Sequence, residues 1–116
     1  MSENDRIRLQ HMLDAAQEAL AFAHGRRREE LEQDRQLTLS LVKTIEIIGE
    51  AASQITFEVR QQHPEIPWPS IIAMRNRLVH AYFDIDLDRV WDTLIDDLPP
   101  LIALVETILS ENKNQE

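Results

Sequence analysis

The chain has 116 residues, no cysteine and a net charge of −9, from 12 basic and 21 acidic residues. Its length is that of a single domain over residues 1–116, and the lack of cysteine excludes disulfide bonds and thiolate metal sites. The excess of acidic residues excludes the class of proteins that coat nucleic acid through a broad basic face. No apolar run approaches the roughly 18 residues of a membrane span, so we expect a soluble, cytoplasmic protein without a membrane partner.

The composition favours helices, because hydrophobic residues make up 43% of the chain and glycine occurs only twice. In the first segment Ser2 or Asn4 can cap a helix, and Gly25 can end it. The apolar residues between them recur every three or four positions: Leu9, Leu13, Ala16 and Leu20. This spacing predicts an amphipathic helix of the bundle type.

Residues 25–34 are highly charged, with Arg26, Arg27 and Arg28 followed by Glu29, Glu30 and Glu32. We favour a solvated connector or a short helix whose charges compensate one another. A basic patch for nucleic acid is the alternative reading.

From about Arg35 to His63 the helical period continues without a break, which predicts the longest and most buried helix. Its apolar stripe consists of Leu41, Ile45, Ile48, Ala52, Ile55 and Val59. Gly49 lies inside this stripe, where glycine is costly relative to alanine. We therefore expect a second helix to cross closely at Gly49.

Three prolines between His63 and Ser70 predict an ordered turn with Trp68 as its hydrophobic anchor. Pro69 suits the first turn of a helix that runs to about His80. Further on, Asp86 is a plausible cap for a last helical region whose apolar face includes Val90, Trp91, Leu94, Ile95 and Leu98.

Pro99 and Pro100 must kink or restart this last region, because neither has a backbone N–H to donate. The period then continues through Ile102, Val105 and Leu109. A polar tail from Ser110 to Glu116 is predicted to fray.

The segment from Met74 to Asp84 is the most informative, because it combines Arg75, Asn76, His80 and Tyr82. Arginine holds phosphate oxygens through a charged fork, and histidine exchanges protons near neutral pH. On a continuous helix Asn76 and His80 would share one face, with Arg75 roughly 140° away from His80. Arg75 and His80 can therefore meet only if the chain turns near His80 or if a second copy contributes to the site.

Structural roles for these residues are alternatives. Arg75 could pair with a carboxylate such as Glu50, and His80 could interact with the end of its own helix. Tyr82 and Phe83 could simply pack where the chain turns.

A metal site is not expected from the four histidines, because none has a carboxylate three or four residues before it. His11 with Asp14 and His80 with Asp84 are only loose pairs. We predict no metal and no other cofactor.

These residues resemble a known family. Arg75 to Tyr82 matches the Arg-x4-His-x-Tyr motif of HepT-like ribonuclease toxins, within the HEPN superfamily. The resemblance covers about residues 37–101 in order and spacing, and includes the Ile48-Gly49-Glu50-Ala51 turn, the Pro64 to Trp68 corner and the stretch from Val90 to Pro99.

The resemblance implies an all-α, HEPN-type bundle of four to five helices that forms a homodimer, with both copies of the motif lining one cleft. It also implies a metal-independent endoribonuclease acting on RNA, with Arg75 and His80 as catalytic residues. Asn76 and Glu50 are candidates for supporting roles.

The family further implies a toxin-antitoxin pair in which a nucleotidyltransferase antitoxin of the MntA type transfers AMP to the motif tyrosine, here Tyr82. An added anion there would repel RNA phosphate. The alternatives are a non-catalytic binding subunit of a nucleotidyltransferase complex and a structural dimer without chemistry.

Overall fold

The computed structural model describes residues 1–115, with the side chains of all but residues 80 and 113–115. The described helices are α1 (Glu3–Phe22), α2 (Glu30–Gln33), α3 (Arg35–Ser53), α4 (Phe57–Gln62), α5 (Trp68–Leu78), α6 (Leu87–Asp92) and α7 (Leu98–Gln115), with a π-helical turn at Thr93–Asp97. Two short strands, β1 (Val79–Ala81) and β2 (Asp84–Ile85), form an antiparallel hairpin between α5 and α6. The predicted all-α class is confirmed, and the hairpin is a small addition to it.

The core lies between α1, α3, α5 and α7, where α3 packs against both α1 and α5 and α7 packs against α1. Its largest fully buried side chains are Leu9, Met12, Leu41, Val42, Ile45, Ile48, Ile66, Leu78, Val90, Leu94, Leu98 and Val105. The predicted stripes of α1 and α3 therefore face this core, as the helical period requires.

Gly49 lies where α3 packs closely against α5, as the sequence predicted. A Cβ atom at this position would lie 3.2 Å from the backbone oxygen of Ile71 and 3.6 Å from that of Ile72. A side chain there would require the α5 backbone to shift by a few tenths of an ångström. Glycine at position 49 therefore permits the close packing of the two helices that carry the candidate site.

The charged connector also agrees with its prediction. It contains the four-residue helix α2. α1 ends at Phe22, and the turn that follows it includes Gly25, whose φ of 73° favours glycine. Arg26 pairs with Glu30 and Asp34, and Arg28 pairs with Glu32 and Asp88. These arginines are compensated by carboxylates, so they do not form the alternative basic patch.

The single long helix predicted from Arg35 to His63 is wrong, because the chain leaves the helix between α3 and α4. The buried Asp5 carboxylate accepts the Thr56 backbone N–H at 2.9 Å and the Thr56 hydroxyl at 2.8 Å. Arg60 donates to the backbone oxygens of Ser53 and Ile55 at 2.9 and 3.0 Å. These side chains satisfy the polar groups that the break exposes, while Ile55 and Val59 still reach the core.

Asp5 connects the start of α1 to this break through its two hydrogen bonds from Thr56. Because Asp5→Ala removes both acceptors, we expect it to lower the free energy of unfolding by about 1–3 kcal/mol. Burial acts to raise the pKa of Asp5, but hydrogen bonds from Thr56 and Ser2 outweigh it and lower the pKa. The stabilisation is therefore present at neutral pH and is lost as the pH falls through the lowered pKa.

Denaturant unfolding at neutral and acidic pH checks this expectation. Asp14→Ala is the matched control, since Asp14 is exposed on the same helix and, among the side chains that the structure describes, hydrogen-bonds only to Gln10. Equal destabilisation by both variants would contradict the role given to Asp5.

Trp68 anchors the proline turn as predicted, because its ring is buried and its indole N–H donates to the His63 backbone oxygen at 3.0 Å. Pro69 lies in the first turn of α5. However, α5 ends at Leu78 and not near His80, and Val79 is already extended with φ −130° and ψ 108°. The Asp86 N–H donates to the Leu78 oxygen at 2.7 Å, which closes the hairpin directly beyond the helix end.

The last helical region begins at the predicted cap, where the Asp86 side chain accepts the Arg89 N–H at 3.0 Å. The predicted kink takes the form of the π turn, after which Pro99 and Pro100 occupy the first turn of α7. Within that wider turn Ile95 is 53% exposed, so its predicted place on the apolar face is wrong.

α7 includes most of the predicted polar tail as helical backbone up to Gln115, and Glu116 lies outside the described residues. Within residues 1–115, no helix combines the length and the apolar character needed to cross a membrane.

Candidate functional site

The motif residues lie where α5 gives way to the hairpin. Arg75 and Asn76 are on the last turns of α5 and exposed, and Tyr82 is in the hairpin turn with 49% of its surface accessible. The His80 backbone belongs to β1, between them, while its side chain lies outside the described part of the chain. The shared helix face expected for Asn76 and His80 is wrong, because α5 ends two residues before His80.

The side chains of Arg75 and Tyr82 meet on a single carboxylate, that of Glu46 on α3. Arg75 donates from Nε to Glu46 Oε1 at 3.0 Å, and the Tyr82 hydroxyl donates to the same oxygen at 2.6 Å. Only 15% of the Glu46 side chain is exposed, compared with 46% for Arg75. Glu46 is therefore the shielded centre of a three-residue cluster whose other two members face solvent.

The close crossing at Gly49 explains why Glu46 and Arg75 meet. Gly49 lies against Ile71, Glu46 is nearly one turn before Gly49, and Arg75 is about one turn after Ile71. The Gly49–Ile71 and Glu46–Arg75 contacts are displaced in opposite directions along the two segments, as in an antiparallel pair of helices. The packing of α3 against α5 at Gly49 is thus consistent with the charged pair one turn away.

The electrostatics keep Glu46 and Arg75 ionised at neutral pH. Burial acts to raise the pKa of Glu46, but hydrogen bonds from Tyr82 and Arg75 outweigh it, so the pKa is lowered. The neighbouring Tyr82 and Glu46 side chains raise the pKa of Arg75. The Arg75 charge is consequently balanced by a carboxylate in the unliganded chain.

Arg35 holds the hairpin turn from a second point on α3. Its guanidinium donates to the Tyr82 backbone oxygen at 2.6 Å. Tyr82 is thus tied to the same helix through its backbone by Arg35 and through its hydroxyl by Glu46. These two bonds position the hydroxyl beside Arg75 while leaving the ring accessible.

The structure decides two of the structural alternatives raised by the sequence. Arg75 does pair with a carboxylate at the edge of the core, but this is Glu46. It is not Glu50, which lies one turn further along α3, is exposed and accepts a hydrogen bond from Gln54 at 3.5 Å. Tyr82 and Phe83 are not packed in the turn, since Phe83 is 90% exposed. The supporting roles of Asn76 and Glu50 stay predictions.

Sequence reasoning missed Glu46 and Arg35. A usable signal was present for Glu46, because it follows the buried Ile45 and precedes the crossing residue Gly49. Glu50 is even closer to Gly49 in the sequence, so this signal alone does not distinguish the two carboxylates. No comparable pattern marks Arg35, whose partner is a backbone oxygen 47 residues away.

Within the described residues, no group of three or more His, Asp or Glu side chains is arranged to hold a metal ion.

The fold and the site define an all-α bundle protein that presents an arginine and a tyrosine at a helix end beside a hairpin. The family model described as "Ribonuclease HepT-like" matches residues 12–108. The chain therefore belongs to the ribonuclease HepT-like family, as the motif resemblance predicted.

Related proteins agree with this assignment. "Putative RNase TTE0752" of Caldanaerobacter subterraneus subsp. tengcongensis is 33% identical over 105 residues, covering 90% of this chain and 94% of the relative. "Probable ribonuclease HepT" of Thermococcus cleftensis is 37% identical over 75 residues, covering 65% and 68% of the two chains. No solved structure matches the chain.

Proposed function

We propose that this protein is the toxin of a two-component system, a metal-independent endoribonuclease that acts as a homodimer on cytoplasmic RNA. The observation that carries this proposal is the convergence of Arg75 and Tyr82 on Glu46 beside the His80 backbone, in a chain of the ribonuclease HepT-like family. The names of the relatives, which describe ribonucleases, support the reaction class.

In the proposed reaction the ribose 2′-oxygen forms a bond to the adjacent phosphorus while the bond to the 5′-oxygen breaks. His80 removes the proton of the 2′-hydroxyl or supplies one to the leaving 5′-oxygen. Arg75 stabilises the charge that develops on the phosphate. Because Arg75 is bound to Glu46 in the unliganded chain, an RNA phosphate must compete with that carboxylate.

A second copy of the chain completes the proposed site. Arg75 and Asn76 face solvent at the end of α5, so a symmetric dimer built on this surface would bring two motif segments together. This arrangement follows from the family resemblance and is supported by the exposure of both residues.

The proposed antitoxin is a nucleotidyltransferase that transfers AMP to Tyr82. In that reaction the Tyr82 oxygen forms a bond to the α-phosphorus of ATP, pyrophosphate leaves, and the phenolic proton is released. The 49% exposure of Tyr82 supports access by a partner enzyme. The added phosphate would lie beside Arg75 and compete with RNA.

RNA cleavage by the purified chain tests the proposal. We expect cleavage that persists in excess EDTA and is absent in the Arg75→Ala/His80→Ala double variant, because positioned side chains supply the chemistry. Unchanged cleavage by the purified double variant would assign the activity to a contaminant or to other residues.

The second candidate is a non-catalytic binding subunit that presents Tyr82 to a nucleotidyltransferase. The net charge of −9 and the neutralisation of Arg75 by Glu46 favour it, since both weaken RNA binding. Co-expression separates the two functions. A chain that forms a stable complex with the transferase, but neither slows growth nor cleaves RNA by itself, would support the binding subunit.

A further inference from the structure

A shallow groove of about 490 Å³ runs between α1 and α3 on the side of α3 that bears Glu46. Arg8 and His11 of α1 line one wall, and Lys43, Glu46 and Glu50 of α3 line the other. We refer to these residues as the α1–α3 groove. Ile47, which is 37% exposed, contributes apolar surface between them.

The cations of this groove differ from those of the connector. Arg26 and Arg28 are each bound to two carboxylates. Among the described side chains, by contrast, none forms a hydrogen bond or an ion pair with Arg8 or Lys43. The charge of Lys43 also acts on Glu46, where it helps to lower the pKa of the carboxylate. Because neither cation is held in an ion pair, both can bind a ligand on a protein whose net charge is strongly negative.

The groove has a net positive charge when Arg75, which pairs with Glu46 from outside the groove, is counted with its lining residues. Glu46 is balanced by Arg75, which leaves two permanent cations, Arg8 and Lys43, with Glu50 as the one unbalanced carboxylate. Such a groove suits an anionic ligand that follows its length.

Glu46 connects the groove to the motif residues. Its side chain lines the groove and also binds Arg75 and the Tyr82 hydroxyl. An RNA strand whose scissile phosphate reached Arg75 would therefore pass its neighbouring nucleotides over Lys43 and Arg8.

We propose that the α1–α3 groove binds backbone phosphates of single-stranded RNA next to the cleavage site, with Arg8 and Lys43 as the contacts. This inference rests on the proposed ribonuclease function. The contacts are electrostatic, so they position the strand without reading its sequence. Ile47 offers apolar contact to a base between the two phosphates.

Salt-dependent binding of a 2′-O-methyl oligoribonucleotide tests the groove, because this probe lacks the nucleophilic hydroxyl and stays intact on the wild-type protein. In Arg8→Gln/Lys43→Gln we expect weaker binding and a plot of log affinity against log salt whose slope is shallower by about 1.4, from two lost contacts on a single strand. Fluorescence anisotropy at several salt concentrations measures both values.

The matched control is Arg27→Gln/Arg89→Gln, which removes two exposed positive charges from other parts of the surface. It should keep the wild-type slope. A wild-type slope in the groove variant, or an equal loss in both variants, would overturn the inference, provided that thermal unfolding shows both to be folded.

The binding test of the groove and the cleavage test of the proposed ribonuclease can fail independently of each other. If wild-type protein cleaves RNA while the groove variant binds normally, the ribonuclease stands and the groove does not. If the groove variant loses binding but the wild type cleaves nothing, the ribonuclease fails and the groove remains an RNA-binding surface.

Discussion

His80→Ala is expected to reduce the rate of RNA cleavage by about 10²–10⁴-fold, the usual contribution of a positioned general acid or base. Arg75→Ala is expected to cause a loss of about 10²–10³-fold, because one donor to the developing phosphate charge disappears. Single-turnover rates on a defined RNA measure both effects. Since Arg75 is 46% exposed, the alanine variant should retain its fold.

Two neighbouring variants serve as controls for these losses. Arg77→Ala removes an exposed cation from the same end of α5, and His24→Ala removes an exposed histidine just beyond α1. Both should cleave at nearly the wild-type rate. Comparable losses in Arg77→Ala and Arg75→Ala would indicate a general electrostatic effect and would remove Arg75 from its proposed catalytic role.

Arg75→Lys gives a sharper test of how Arg75 acts. Lysine keeps the charge but lacks the planar fork that can bind two oxygens in fixed geometry. We expect RNA binding near that of the wild type with a reduced rate of the chemical step. Full activity in Arg75→Lys would mean that charge alone is sufficient.

Tyr82→Phe is expected to abolish AMP transfer completely, because phenylalanine lacks the oxygen that bonds to the α-phosphorus. Intact mass before and after incubation with the nucleotidyltransferase and ATP gives the result directly. The variant should still cleave RNA, since Tyr82 has no catalytic role in the proposal. It should also be toxic in the presence of the antitoxin, which would no longer be able to switch it off.

Glu46 gives this prediction a structural reason. The Tyr82 hydroxyl that would carry AMP now donates to Glu46, which also holds Arg75. An AMP phosphate would remove that donor and bring a second anion next to the carboxylate, so Glu46 would be repelled and Arg75 would gain a phosphate partner. An equal adduct on Tyr82→Phe and wild type would place the modification elsewhere.

Much of the bundle could be predicted from the sequence, because helical periodicity reports directly on which residues are buried. The stripes of α1 and α3, the cap at Asp86 and the anchoring of Trp68 were predicted, and Ser2 was one of two caps offered for α1. The break between α3 and α4 was not predicted, because Ile55 and Val59 keep the period across it. One of the residues that stabilise the break is Asp5, which binds Thr56, 51 residues away in the sequence.

The candidate site was likewise predicted only in part from the sequence. The motif itself identified Arg75, His80 and Tyr82 as the residues to consider, and Gly49 indicated a close helix crossing. The sequence continued the helix to about His80, however, because propensity within the segment gave no sign that Leu78 ends it. β1 pairs with β2 across a turn of only two residues, and this hairpin overrides the helical tendency of the segment.

The sequence by itself thus determined the all-α class, the buried faces and the residue types that can act on phosphate, since each depends on local pattern or side-chain chemistry. Only the tertiary structure decided that Glu46, and not Glu50, holds Arg75 and the Tyr82 hydroxyl together. That choice depends on how α3 and α5 pack against each other around Gly49 and Ile71. Distances between segments far apart in the chain follow from packing, and periodicity within one segment carries no information about them.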